Sequence, residues 1–253
     1  MKILDLSDLH LSHIDNLIDD DFVTDIREDD RLAELLATKF GTDAQKIIIG
    51  GDLVEAYQAI WFGRKRFIKK LRKRYPKTLS IIENDPDIIV LNGNHDDGSL
   101  KYLNFVGKMP HNYVELCGFR FEHGHQAEVF FHSKFMCRLS KVLVKVIYAL
   151  EIFVGKLTRF KFTKFWMDYQ RKKRMDGEDL DRYAEHLLIK KKHLSGVVLH
   201  HTHIPKTRLK KLKRDEINDN EELLYINCGS YIWGDVLLID TETKKVKNLV
   251  GQY

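Results

Sequence analysis

The chain has 253 residues, 43% of them hydrophobic and 11% aromatic, with four prolines and 15 glycines. That is enough to bury a large core without disulfide or metal staples, and it excludes disordered and collagenous classes. The net charge of +5 is uneven: residues 64–77 and 134–192 carry +9 each, leaving −13 on the rest, so an anionic partner is expected.

Cys117, Cys137 and Cys228 form no C-x-x-C pair, which argues against a thiolate zinc site and fits a reducing, cytoplasmic setting. Residues 3–8 hold no apolar core of signal-peptide length. The most apolar stretch, 142–154, is interrupted by Lys145 and Glu151 and is too short to span a bilayer. A soluble or peripheral protein is expected.

In chain order, residues 2–7 read as a buried strand and 31–39 as a helix with Leu32, Leu35 and Leu36 on one face. Residues 46–49 read as a strand, about 55–74 as a basic helix and 87–91 as a strand. This alternation predicts an α/β sheet with parallel strands at its centre. Residues 113–116 and 119–122 form a hairpin around Cys117-Gly118, and 196–199, 223–227, 236–240 and 246–250 supply further strands. The stretch at about 127–194 is helical and cationic, and reads as an insertion into one domain spanning 1–253. Inside it, Val142, Val146, Leu150 and Phe153 lie on an apolar arc edged by Lys and Arg, followed by the stripe Phe162, Phe165, Trp166 and Tyr169. Such a stripe is either plain core packing or, with the flanking Lys and Arg, a face for an acyl chain or an anionic bilayer; on the second reading a helical lid is expected.

Five polar clusters fall at predicted strand ends, the edge where open α/β sheets place their ligands. They are Asp8-Leu9-His10, Gly50-Gly51-Asp52, Asn92-Gly93-Asn94-His95-Asp96, His123-Gly124-His125 and His200-His201-Thr202-His203. In extended backbone the i, i+2 pair Asp8 and His10 points to one side. Oxygen and imidazole donors without cysteine suit manganese, iron or zinc, and there are more donors than one ion needs. His13, His111, His132, His186 and His193 lie outside these clusters and read as ordinary surface or core residues.

The ordered set resembles the calcineurin-like metallophosphoesterase superfamily. The resemblance implies an αββα sandwich of two mixed sheets flanked by helices, with two divalent ions, manganese before iron or zinc, at one sheet edge. It implies that Asp8, His10 and His203 hold the first ion, that Asn94, His123 and His201 hold the second, and that Asp52 bridges both. His95 falls where the family places its leaving-group acid or transition-state stabiliser. The roles of His125 and His200 stay open between supporting a ligand and lying nearby. Asp96 either orients His95 or caps an exposed turn.

A narrower resemblance is to bacterial UDP-2,3-diacylglucosamine diphosphatases, through residues 7–11, Gly51-Asp52-Leu53-Val54-Glu55 and His201-Thr202-His203-x-Pro205, with a helical insertion before the last motif. The chain departs from that group in having His95 where Arg is usual and His125 where Asp is usual. His200 stands where most of the superfamily has Gly. The implied chemistry is metal-dependent hydrolysis of a phosphoester or pyrophosphate. A lipid-linked or nucleotide-linked diphosphate is the first expected substrate, ahead of a soluble nucleotide or phosphoprotein. Nucleic acid is the third reading, on the basic segments alone. The expected partners are a phosphorylated small molecule or lipid and an anionic membrane surface, with the protein peripheral on the membrane's inner face.

Overall fold

The computed structural model of the protein describes residues 1–12, 29–56, 63–127, 142, 146, 178–201, 206–212, 221–229 and 235–249. In chain order its elements are β1 (Lys2–Leu6), α1 (Asp29–Ala37), β2 (Lys46–Ile49), α2 (Arg64–Arg74), α3 (Pro76–Asn84), β3 (Ile88–Val90), β4 (Tyr113–Leu116) and β5 (Phe119–Glu122). There follow α4 (Glu178–Lys190), β6 (Gly196–Leu199), β7 (Lys206–Leu212), β8 (Glu221–Asn227), β9 (Leu237–Asp240) and β10 (Lys245–Asn248).

The strands form two five-stranded mixed sheets, ordered β10-β9-β1-β2-β3 and β4-β5-β6-β8-β7. β1, β2 and β3 are parallel, as are β5, β6 and β8; antiparallel strands lie outside them. Period-two side-chain alternation sorts each strand between two layers. Ile3, Ile48, Phe121, Val198, Ile226 and Ile239 fill the space between the sheets. Leu4, Leu6, Ile47 and Ile49 join Leu32, Phe67, Leu71 and Ile82 of α1, α2 and α3 on the far side of the first sheet. Leu180, Ala184 and Leu188 of α4 cover Val197, Leu199 and Leu223 of the second. The layers therefore run helices, sheet, sheet, helix, which is the expected αββα arrangement.

The basic helix begins at Arg64, not near 55. Gly63 before it takes φ 80° and ψ 151°, values an L side chain resists. Phe67, Ile68 and Leu71 form its buried stripe, while Lys65, Arg66, Lys69 and Lys73 are exposed. α3 was not foreseen, although Pro76 at its first turn is a helix-start signal. β7 was not foreseen either: its sequence, KTRLKKL, lacks apolar alternation because it is the polar edge of its sheet.

Of the expected lid, α4 is described, and so are Val142 and Val146, both helical and 58% and 48% exposed. The rest of the apolar arc and the aromatic stripe lie outside the described residues. Among the described residues, no helix is long and apolar enough to cross a membrane.

Candidate metal centre

The loops after β1 and β2 run side by side past the ends of their strands. Asp8 N donates to Gly51 O (3.1 Å), His10 N to Asp52 O (2.9 Å) and Leu11 N to Leu53 O (2.9 Å). The extended geometry expected for Asp8 and His10 is not what brings them together. Both are left-handed, with φ of 56° and 43°, and so are Asp52 (49°) and His201 (71°). Non-glycine residues pay about 1–3 kcal/mol each for such conformations, which concentrate at functional sites. Four of the expected ligands carry that strain.

The ladder of loop hydrogen bonds turns these side chains into two adjoining groups. His10 Nε2 is 3.7 Å from Asp8 Oδ1 and 3.9 Å from Asp52 Oδ2. His123 Nε2 is 3.2 Å from the same Asp52 Oδ2 and 3.0 Å from Asn94 Oδ1. Separations of this size are those of donors around an ion with bonds of about 2.0–2.2 Å. His201 joins the second group: its ring centroid is 5.2 Å from that of His123, and donor atoms of Asp52, His123 and His201 fall within 4.8 Å of one another. Asp8, His10 and Asp52 meet the same spacing. Asp52 thus stands in both groups, with the oxygen Oδ2 facing an imidazole of each. The donor set of carboxylate, amide oxygen and imidazole fits two borderline divalent ions. His203 lies outside the described residues.

Hydrogen bonds behind these groups fix their orientation. His123 Nδ1 donates to Gly50 O (2.9 Å), which leaves Nε2 to face Asp52 and Asn94. Asp52 Oδ1 accepts from His95 N (2.7 Å), which leaves Oδ2 for the centre. The Ser7 hydroxyl donates to Asp8 Oδ2.

Glu55 is the functional residue that sequence reasoning missed, having entered only as the end of a motif. It is buried, and its Oε2 lies 3.0 Å from His10 Nδ1 and 2.9 Å from His95 Nδ1. One carboxylate oxygen therefore holds both an expected ligand and the expected catalytic histidine, whose rings meet edge-on at 4.8 Å. The available signal was a carboxylate three residues past Asp52 in an otherwise apolar run.

Burial opposes ionisation of Glu55, but His95 and His10 overcome it and bring its pKa to about 2. Burial also works against the Asp52 carboxylate, which His123, His95 and His10 nevertheless hold well below the usual range. The reciprocal effect raises His10 through Asp8 and Glu55, and raises His95 through Glu55 and Asp52, in both cases against burial.

Asp96 is buried rather than exposed, and it does cap a turn: it accepts from Val54 N (3.0 Å) and Gly93 N (2.7 Å). It ties the loop of Asn94 and His95 to the loop of Asp52 and does not orient the His95 ring. His125 is partly exposed, its ring centroid 5.4 Å from His123 and 6.4 Å from His201, beside the second group. His200 is fully buried and points away from the centre, to Asp5 and the carbonyl of Glu122.

No protein-family profile and no curated protein matches the chain. Among solved structures, the chain is similar to a novel archaeal phosphodiesterase at 15% identity and TM-score 0.47, covering 99% of both chains. It is similar to a metallophosphoesterase from Sphaerobacter thermophilus at 12% identity and TM-score 0.40, covering 98% of this chain and 86% of that one. A third similarity is to zinc-complexed Vps29 from Entamoeba histolytica, at 13% identity and TM-score 0.35, covering 98% and 97%.

Proposed function

We propose that this chain is a two-metal phosphoester hydrolase acting on a phosphodiester or pyrophosphate linkage. The observation that carries the reading is Asp52, whose Oδ2 faces His10 on one side and His123 and Asn94 on the other. In this reading Asp8, His10 and His203 hold one ion, Asn94, His123 and His201 hold the other, and Asp52 is shared. Bound there, the ions would neutralise phosphoryl oxygens and ionise water near neutral pH.

His95 is the proton donor in this scheme. Its Nδ1 lies 2.9 Å from Glu55 Oε2, which orients the ring, and the side chain is 20% exposed, so a departing oxygen can reach it. A lipid-linked or nucleotide-linked diphosphate is the finer proposal, with the protein peripheral on an anionic membrane. It is supported by Val142 and Val146, one helical turn apart in the cationic insertion and both exposed.

A hydrolysis screen of the manganese-loaded protein tests both levels. The panel is bis-aryl phosphate, an acylated UDP-sugar, cyclic nucleotides, a phosphopeptide and single-stranded DNA. Turnover of bis-aryl phosphate that stops on chelation is expected, with the acylated diphosphate preferred among the others. Two bound manganese ions without hydrolysis of any phosphoester would overturn the reading. Preference for cyclic nucleotides, phosphopeptide or DNA would replace the lipid-linked substrate alone.

A further inference from the structure

Among the described residues, the apolar layer between the sheets gives way to polar side chains at the end lying under the metal centre. There the inward positions of β1, β6 and β8 continue as Asp5, His200 and Cys228, all of them fully buried. His200 Nδ1 donates to Glu122 O at 3.0 Å, and Nε2 lies 3.0 Å from Asp5 Oδ2. The carbonyl of Glu122 only accepts, so Nδ1 carries a hydrogen, and Nε2 shares one with the Asp5 carboxyl. The Cys228 thiol donates to Asp5 O at 3.4 Å, closing the group.

The contacts of His200 reach four of the five strand ends that lead to expected ligands, those of β1, β2, β5 and its own β6. Asp5 lies on β1, which leads to Asp8, and Glu122 ends β5, which leads to His123. His200 itself follows β6 and precedes His201, and its N donates to His123 O at 3.1 Å. Its ring lies against Gly50 after β2, so closely that a Cβ there would sit 2.3 Å from Nε2. Gly50 O in turn receives His123 Nδ1, and Asp52 follows two residues later. A buried ion pair is poor evidence of stabilisation, because well-packed apolar side chains usually do as well. What an apolar filling does not supply is a spacer of fixed length and direction between the two sheets.

We propose that the Asp5–His200 pair is a positioning device, setting the sheet separation beneath the centre and thereby the approach of His123 and His201 to Asp52. The proposal rests on the two-metal reading of the site.

The test compares two variants of the full chain by manganese titration and by the electron paramagnetic resonance spectrum of the loaded site, which reports the separation of two coupled ions. Asp5→Asn keeps the geometry, since its amide donates to a neutral His200 Nε2. It is expected to hold both ions within about threefold of wild type, with an unchanged spectrum. Asp5→Leu/His200→Leu fills the space without the link. It is expected to melt near wild type yet lose roughly 10–100-fold in affinity for the weaker ion, as loss of a supporting partner does elsewhere, with altered coupling. If that double variant does not fold, His200→Asn, too short to span Glu122 O and Asp5, must show the same loss. Wild-type affinity and coupling in the folded apolar variant, or in His200→Asn where it is needed, would overturn the positioning role. Wild-type protein binding fewer than two ions would instead overturn the two-metal reading beneath it.

Discussion

Gly93 and Asp52 are packed so closely that a Cβ on Gly93 would lie 2.0 Å from Asp52 Oδ1 and 2.1 Å from its backbone nitrogen. The glycine is therefore a spatial requirement of the shared carboxylate. Gly93→Ala must push Asp52 aside, and it is expected to lower metal occupancy and turnover together. Overpacking of this kind costs about 1–3 kcal/mol of stability. Gly107→Ala is the control: its φ is 67°, but nothing lies within 4 Å of the added methyl. It should cost stability modestly and keep both ions. Metal content per chain, measured on both proteins, checks the contrast; full occupancy in Gly93→Ala would show that the close approach is dispensable.

Asp52→Asn changes one oxygen of that carboxylate to an amide and removes the charge that both groups share. It is expected to reduce activity by several orders of magnitude and to lower metal occupancy. Two retained ions with near-normal turnover would sink the bridging assignment.

Glu55→Gln separates two roles. The amide oxygen still accepts one hydrogen bond, but its uncharged head no longer holds His10 and His95 at once. Partners of this kind are worth roughly 10–100-fold in metal affinity or activity. The expected outcome is a loss of that size in turnover, together with weaker binding at the Asp8–His10 end. An unchanged rate and affinity would leave Glu55 a buried spectator.

His95→Ala should behave differently, because in the proposed function His95 donates a proton and binds no ion. Metal content is expected to stay near two per chain while turnover falls roughly 10²–10⁴-fold, the usual worth of a positioned acid. Loss of metal in this variant would make His95 a ligand.

The sheets were legible in the sequence because their strands are short apolar runs bounded by the site motifs. β1, β2, β5 and β6 fall within a residue of where their patterns put them. What failed to show has physical reasons. α2 was read as starting near 55 because the run after Asp52 is rich enough in helix formers to hide the break that Gly63 makes. β7 carries lysines because it is a sheet edge. At the site, the spacing of Asp8 and His10 correctly put them together, but by a left-handed turn in place of a strand. Glu55 was invisible as a partner because its two histidines come from loops 45 residues before it and 40 after it. Only the pairing of those loops brings one oxygen to both rings. His200, adjacent in sequence to an expected ligand, belongs by strand alternation to the opposite face, and its partner Asp5 is 195 residues away.

Helix α4 is tied to the second sheet by a buried polar contact that can be tested separately from the metal centre. Tyr183 of α4 donates its hydroxyl to Glu122 Oε1 at 2.9 Å, while Arg120 Nε donates to Glu122 Oε2 at 2.8 Å and its guanidinium stacks 3.6 Å over the Tyr113 ring. Burial and the Glu122 carboxylate raise the Tyr183 pKa, so the phenol stays a donor at ordinary pH. Tyr183→Phe keeps the ring packed on the sheet but removes one donor from a buried carboxylate. A hydrogen bond to a charged group contributes about 1.5–3 kcal/mol. The variant should therefore unfold at lower urea with an unchanged slope, the pattern of lost stability without altered compactness. Metal binding should persist, because Glu122 meets the centre only through its backbone carbonyl, which remains bonded to His200. A midpoint equal to wild type would show that Arg120 alone satisfies Glu122 and that α4 is held by its apolar face.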